Sequence, residues 1–206
     1  MKIIVFGATG GIGRHVVNQA LQTGDEVTAF VRDLTKLQIE NDHLHVVRGD
    51  ATNAEEVSAA IAGHDAVVSC LGSNKMVAKS TQLEEMTQHI VASMEAHHVK
   101  RIVYTASAGI NNELPGVGGK MVMKMLQNVL IDHRHAVDLI QAHKDLQYTI
   151  VRPLGLTNDD YTGAYREAKE GVPENARNIP RADVAHFILK ALGDDTYIGE
   201  SVGIAQ

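Results

Sequence analysis

Lys2-Ile3-Ile4-Val5-Phe6, Gly7-Ala8-Thr9-Gly10-Gly11-Ile12-Gly13, Arg14-His15-Val16-Val17: a short apolar run, a glycine-rich turn and the start of a helical pattern follow one another without a gap. That order is the strand–turn–helix unit that binds a dinucleotide. A buried strand delivers the chain to the sheet edge. Glycines let the backbone turn sharply and approach a pyrophosphate closely. The first N–H groups of the following helix have no intrahelical acceptor, and they donate to phosphate oxygens with the helix dipole behind them. The spacing of Gly7, Gly10 and Gly13 is G-x-x-G-x-x-G. The predicted pyrophosphate cradle is therefore Gly7, Ala8, Thr9, Gly10, Gly11, Ile12 and Gly13.

Outward from this turn, β-rich apolar runs alternate with helical patterns. Strands are predicted near 2–6, 26–31, 44–48, 65–71, 100–106, 147–152 and 200–204. Helices are predicted near 12–23, 54–62, 81–97, 119–143 and 181–192, with a weaker one near 34–38. Such alternation makes βα units. The expected architecture is α/β: a single Rossmann-like, doubly wound parallel sheet over residues 1–206 with helices on both faces. The longest irregular stretch, about 155–179, is the predicted substrate-side loop. In helix 81–97, Leu83, Met86, Ile90 and Met94 recur at helical spacing and form a core stripe. Met121, Met125 and Val129 extend the same pattern, as core packing or as a methionine-lined groove.

The chain has 206 residues, of which 44% are hydrophobic, and a formal net charge of −6. This composition is that of a folded protein and argues against nucleic acid as a main partner. No apolar stretch has the length of a membrane span and no signal peptide precedes the first strand, so neither membrane association nor secretion is expected. The single Cys70 excludes an internal disulfide and fits a cytoplasmic setting.

The strand ends add to the cofactor reading. The second strand ends in Arg32-Asp33. A guanidinium there matches a 2′-phosphate, and Lys36 adds charge, which favours NADP. Asp33 as a ribose acceptor keeps NAD possible. Asp50 and Ala51 end the third strand, where Asp50 faces an adenine amino group, caps the next helix, or does both. Leu71 and Gly72 end the fourth strand, and Ser107 follows the fifth, beside the expected nicotinamide.

Together these residues resemble the atypical short-chain dehydrogenase/reductase superfamily. The resemblance rests on Gly7–Arg14, Phe30-Val31-Arg32-Asp33, Arg48-Gly49-Asp50, Thr105-Ala106-Ser107-Ala108 and Thr149-Ile150-Val151-Arg152-Pro153. Within the superfamily the chain is similar to the biliverdin reductase B/flavin reductase group and its NmrA-like neighbours, which also share Arg181–Phe187 and Thr162-Gly163-Ala164-Tyr165. The resemblance implies NADPH binding, contact of Pro153 with the cofactor, and hydride transfer to a flavin, quinone or tetrapyrrole-like acceptor. Two departures stand out. No Tyr lies between Tyr104 and Tyr148, so the Tyr-x-x-x-Lys acid–base pair is missing and Lys120 and Lys124 lack a partner. The histidine that follows the sixth-strand proline in biliverdin reductase B-like members is Leu154 here. Tyr104 falls inside the fifth strand, where packing is its expected role.

Ser107 is the candidate catalytic residue, orienting the reacting rings or merely closing the strand end. Tyr161 and Tyr165 stack on a planar substrate or cover an apolar floor. Eleven histidines show no metal-ligand spacing, so no metal is expected. Two functions remain open: an NADPH-dependent reductase of a planar acceptor, and a non-catalytic NAD(P)-binding sensor of the NmrA-like type. Monomer and homodimer are both compatible with the sequence.

Overall fold

The computed structural model describes residues 1–72 and 80–206. Its first half runs β1 (Lys2–Phe6), α1 (Gly13–Gln22), β2 (Glu26–Val31), β3 (Leu44–Arg48), α2 (Ala54–Ile61), β4 (Ala66–Ser69), α3 (Gln82–Ala96) and β5 (Arg101–Thr105). The second half runs α4 (Gly116–Met125), α5 (Gln127–Ala142), β6 (Gln147–Pro153), β7 (Leu156–Thr157), β8 (Arg166–Ala168), β9 (Ile179–Pro180), α6 (Arg181–Leu192) and β10 (Glu200–Ala205).

The main sheet has the order β3-β2-β1-β4-β5-β6-β10-β8. Every pairing in it is parallel except that of β8, which lies antiparallel on β10. The order reverses between β1 and β4, and the crevice above the C-terminal ends of those strands is where such sheets bind ligands. Alternating side chains build two cores. Ile3 and Val5 pack with Val16, Val17, Phe187 and Ile188 under α1 and α6. Ile4 and Phe6 pack with Ile61, Leu83, Ile90, Met94 and Ile140 under α2, α3 and α5. Burial on both faces explains why β1 reads as one unbroken apolar run.

Four expectations are corrected. The helix expected over 119–143 is two, broken at Leu126. α5 is anchored on the sheet by Leu130, Ala136, Val137 and Ile140, whereas α4 buries no residue at all. Met121 and Met125 are accordingly not core: they are 71% and 66% exposed. The α3 stripe is buried as expected. The loop after β6 is not wholly irregular, since it carries β7 and β8, and β7 pairs with β9. The weak helix near 34–38 is a single 3₁₀ turn at Leu34–Lys36.

Two buried polar groups hold this loop. Asp183 accepts from the Thr162 and Gly163 amides, both at 2.9 Å, and from the Thr162 hydroxyl. The Arg152 guanidinium, 1% exposed, pairs with Glu113 and donates to the Lys169, Gly171 and Ser201 carbonyls and the Ser201 hydroxyl. Among the described residues no helix is long and apolar enough to cross a membrane.

Candidate functional site

A cavity of about 730 Å³ opens above the switch point. The glycine turn forms its floor. Gly7 adopts φ +78°, and its carbonyl accepts from the Gly10 amide at 2.9 Å. A Cβ on Gly7 would strike the Cys70 carbonyl, and one on Gly13 would strike the carbonyl of Gly7. α1 then starts with Ile12 at its N-cap, without a side-chain cap and without an acidic residue in the first turn. Apart from the Arg14 amide, which donates to the Gly10 carbonyl at 3.1 Å, its leading N–H groups are therefore left for an anion. Gly7, Thr9, Gly10, Gly11 and Ile12 line the cavity; Ala8 and Gly13 lie behind them, buried and packing the turn against the sheet.

Phe30, Val31, Arg32, Gly49, Asp50 and Ala51 wall one end of the cavity. Arg32 is exposed at its rim. Asp33 is turned to its own backbone, and Lys36 stands exposed outside the wall. The Lys36 carbonyl instead accepts from Arg14 Nη2 at 2.7 Å, and Arg14 Nε donates to the Thr9 carbonyl at 3.0 Å. Asp50 Oδ1 accepts from the Thr52 amide and hydroxyl, which holds its carboxyl below the usual range. The α2 cap is Asn53, which accepts from the Glu55 and Glu56 amides; Asp50 Oδ2 has no partner among the described residues.

At the other end lie Cys70, Leu71, Gly72, Thr105, Ala106, Ser107, Pro153 and Leu154. The Ser107 hydroxyl donates to the Ala108 carbonyl at 3.1 Å while still facing the cavity. Burial pushes the Cys70 thiol up to about 12, so it stays protonated. Beyond Ser107 the wall turns apolar: Met86 from α3, Leu114, and Val122, Leu126 and Val129 from the α4–α5 corner.

Sequence reasoning missed several wall residues. Arg181, the first residue of α6, crosses to the glycine turn, where a Cβ on Gly11 would meet its Cδ and Nε. Only its place in the Arg181–Phe187 resemblance pointed to it. His133 reaches the wall from α5, and the apolar corner became visible only once α4 had bent away. Tyr161 and Tyr165, in contrast, lie outside the wall. Tyr165 bonds His186 Nδ1 at 2.8 Å, and both tyrosine rings pack against His186. Lys120 and Lys124 line a separate surface cleft with Arg134 and His135. Among the described residues no three His, Cys, Asp or Glu side chains gather as a metal set.

The floor suits a pyrophosphate, Arg32 and Arg181 supply positive charge at two points along it, and an apolar chamber adjoins Ser107. Residues 7–195 match a family model described as NAD(P)H-binding. An uncharacterised chloroplastic protein of Arabidopsis thaliana is 30% identical over 93% of this chain and 71% of its own length. A 3-beta-hydroxysteroid dehydrogenase of Mycolicibacterium neoaurum is also 30% identical, but over 53% of the chain and only 32% of its own length. Among solved structures, a Rossmann-fold NAD(P)-binding family protein of Shigella flexneri superposes with TM-score 0.80 at 28% identity, covering 100% of this chain and 93% of that one. A Veillonella parvula short-chain dehydrogenase/reductase in complex with NADP gives TM-score 0.86 at 22% identity, covering 100% and 94%. An anaerobilin reductase of Escherichia coli O157:H7 gives 0.83 at 22% identity, covering 100% and 97%. A phosphate-ready glycine turn at the switch point of a parallel sheet and a family match spanning most of the sequence lead to one assignment: the chain belongs to the NAD(P)H-binding family of Rossmann-fold proteins.

Proposed function

We propose that the protein is an NADPH-dependent oxidoreductase that reduces a planar acceptor, a flavin, a quinone or a similar conjugated ring. The observation that carries this is the continuity of the cavity from Arg32, past the glycine turn, to Ser107 and into the apolar chamber of Met86, Leu114, Val122, Leu126 and Val129. A dinucleotide fits the first part and a flat apolar ring the second. Gly7, Thr9, Gly10, Gly11, Ile12 and Arg181 hold the pyrophosphate, Arg32 reads the 2′-phosphate, Asp50 and Ala51 border the adenine, and Leu71, Gly72, Ser107 and Pro153 border the nicotinamide. When bound, the dinucleotide supplies a hydride, and the acceptor takes up a proton from solvent. The protein contributes mainly proximity and the exclusion of water. The complex of one structural neighbour with NADP, and the anaerobilin reductase among the others, support this reading.

A second reading, a redox sensor that signals through a partner, is favoured by the apolar residues that α4 turns to solvent, Val117, Met121 and Met125, and by Leu154 in the wall. Calorimetric titration with NADPH and NADH, followed by NADPH oxidation with a panel of flavins and quinones, separates the two. Turnover supports the reductase. Tight binding without turnover of any acceptor supports the sensor. No dinucleotide binding overturns both.

A further inference from the structure

The acceptor chamber is mostly apolar; beyond Ser107 its polar side chains are Gln82, at the start of α3, and His133. His133, 6% exposed, forms part of its wall. Behind it His133 Nδ1 lies 3.0 Å from the phenol oxygen of Tyr104, which is fully buried in β5. The two rings meet edge on, with centroids 5.9 Å apart. The neighbouring Asp132 acts on the imidazole by its charge alone: its two oxygens accept from the Leu83 and Glu84 amides and cap α3. Among the described residues, His133 Nε2 has no hydrogen-bond partner. Nor is it among the buried side-chain atoms that are sealed off without one. With Nδ1 turned to Tyr104, Nε2 is the ring nitrogen left for the cavity that His133 lines.

Polar atoms this deep in a protein are normally paired, and here the pairing is left to whatever occupies the chamber. We propose that His133 Nε2–H is a donor subsite for a carbonyl oxygen on the planar acceptor, with Tyr104 as the positioning residue that fixes the imidazole. The proposal rests on the reading of the chamber as an acceptor site. In this assignment the Tyr104 phenol gives its one proton to Nδ1, and a neutral imidazole then carries its own proton on Nε2. Burial keeps the pair neutral, since it pushes His133 down to about 4 and the Tyr104 phenol upward. A donor so placed faces a mostly apolar chamber.

The ligand class follows from that donor: a conjugated ring bearing a carbonyl. Flavins, quinones and the lactam rings of linear tetrapyrroles share this group. Negative charge grows on such an oxygen as a hydride reaches the ring, so the hydrogen bond strengthens along the reaction and contributes to rate as well as binding. Met86, Leu114, Val122, Leu126, Val129 and Leu154 offer no N–H or O–H donor, and the wall's other amide donor, Gln82, is half-exposed where His133 is buried.

The test measures binding of menadione and of flavin mononucleotide to the NADP-saturated protein, with NADPH affinity and the thermal melt as controls. His133→Leu should weaken acceptor binding about 10- to 100-fold, the loss of one buried hydrogen bond, while NADPH affinity stays within about twofold. His133→Gln, which restores an N–H, should recover most of that loss. Tyr104→Phe, which frees the tautomer, should weaken acceptor binding several-fold at unchanged NADPH affinity. Where menadione turns over, kcat/KM should fall in the same order. Unchanged acceptor binding in His133→Leu, or a Gln variant no better than Leu, overturns the subsite and leaves the acceptor reading intact. If His133→Leu does not fold, equal acceptor affinity in Tyr104→Phe and the unmodified protein overturns the proposal. An unmodified protein that binds NADPH but neither acceptor overturns the acceptor reading and the subsite with it.

Discussion

Asp33 Oδ1 accepts from both the backbone amide and the hydroxyl of Thr35, at 3.0 and 2.7 Å. The carboxylate that could have held a ribose diol is thus used to cap the 3₁₀ turn after β2, and the Thr35 bonds hold its pKa below the usual range. Arg32, one residue earlier, lines the cavity instead. Arg32→Ala should weaken NADPH binding by about 1.5–3 kcal/mol and leave NADH nearly unchanged. Parallel calorimetric titrations decide it: an equal loss for both dinucleotides would show that Arg32 does not read the 2′-phosphate.

Gly13 and Gly72 offer a steric contrast. A Cβ at Gly13 collides with backbone, while none of the described residues lies within 4 Å of one at Gly72. Gly13→Ala should lower the melting temperature by several degrees and abolish tight NADPH binding, because the turn must open to admit the methyl group. Gly72→Ala should leave the melting temperature without cofactor unchanged. Thermal melts with and without NADPH check both variants.

Asp132 and Glu113 are buried acids with structural partners. Asp132→Ala removes the cap from the Leu83 and Glu84 amides and should cost about 1–3 kcal/mol in denaturant titrations. Glu113→Ala leaves the Arg152 guanidinium without its carboxylate in a 1% exposed site and should cost more, about 3–5 kcal/mol. The reverse ranking would mean that the carbonyls around Arg152 suffice without Glu113.

His133 predicts a pH dependence of stability. The unfolded ring takes up a proton near pH 6.5, and the folded one only near 4, because burial resists the charge. The unfolded chain therefore binds more protons between those values, and stability falls as pH drops through this window. The full loss is about 3 kcal/mol by linkage. Subtracting the denaturation curve of His133→Gln from that of the unmodified protein isolates this contribution. A difference that is flat from pH 7 to 4 would show that the ring is not held neutral.

The local grammar of the chain was legible where one element decides its own fate. β1, the glycine turn, α6 and the buried α3 stripe read directly from spacing. What could not be read depends on distant partners. Met121 and Met125 carry the same period as Leu83 and Met86, and only the bend at Leu126 separates an exposed helix from a buried one. Whether β8 would pair, and in which direction, was set by β10, more than thirty positions later. Asp33 and Lys36 were both plausible cofactor contacts until Thr35 claimed one and the cavity wall passed by the other. His133 could not be picked out among the histidines because its partner Tyr104 is 29 residues away.

Arg14 adds a mechanical point. One side chain clasps the Thr9 carbonyl of the glycine turn and the Lys36 carbonyl of the turn after β2. It acts as a caliper, fixing the gap between the floor of the phosphate cradle and the bend beside Arg32. On the proposed reading, a cofactor bound there would be measured for length as well as read for charge.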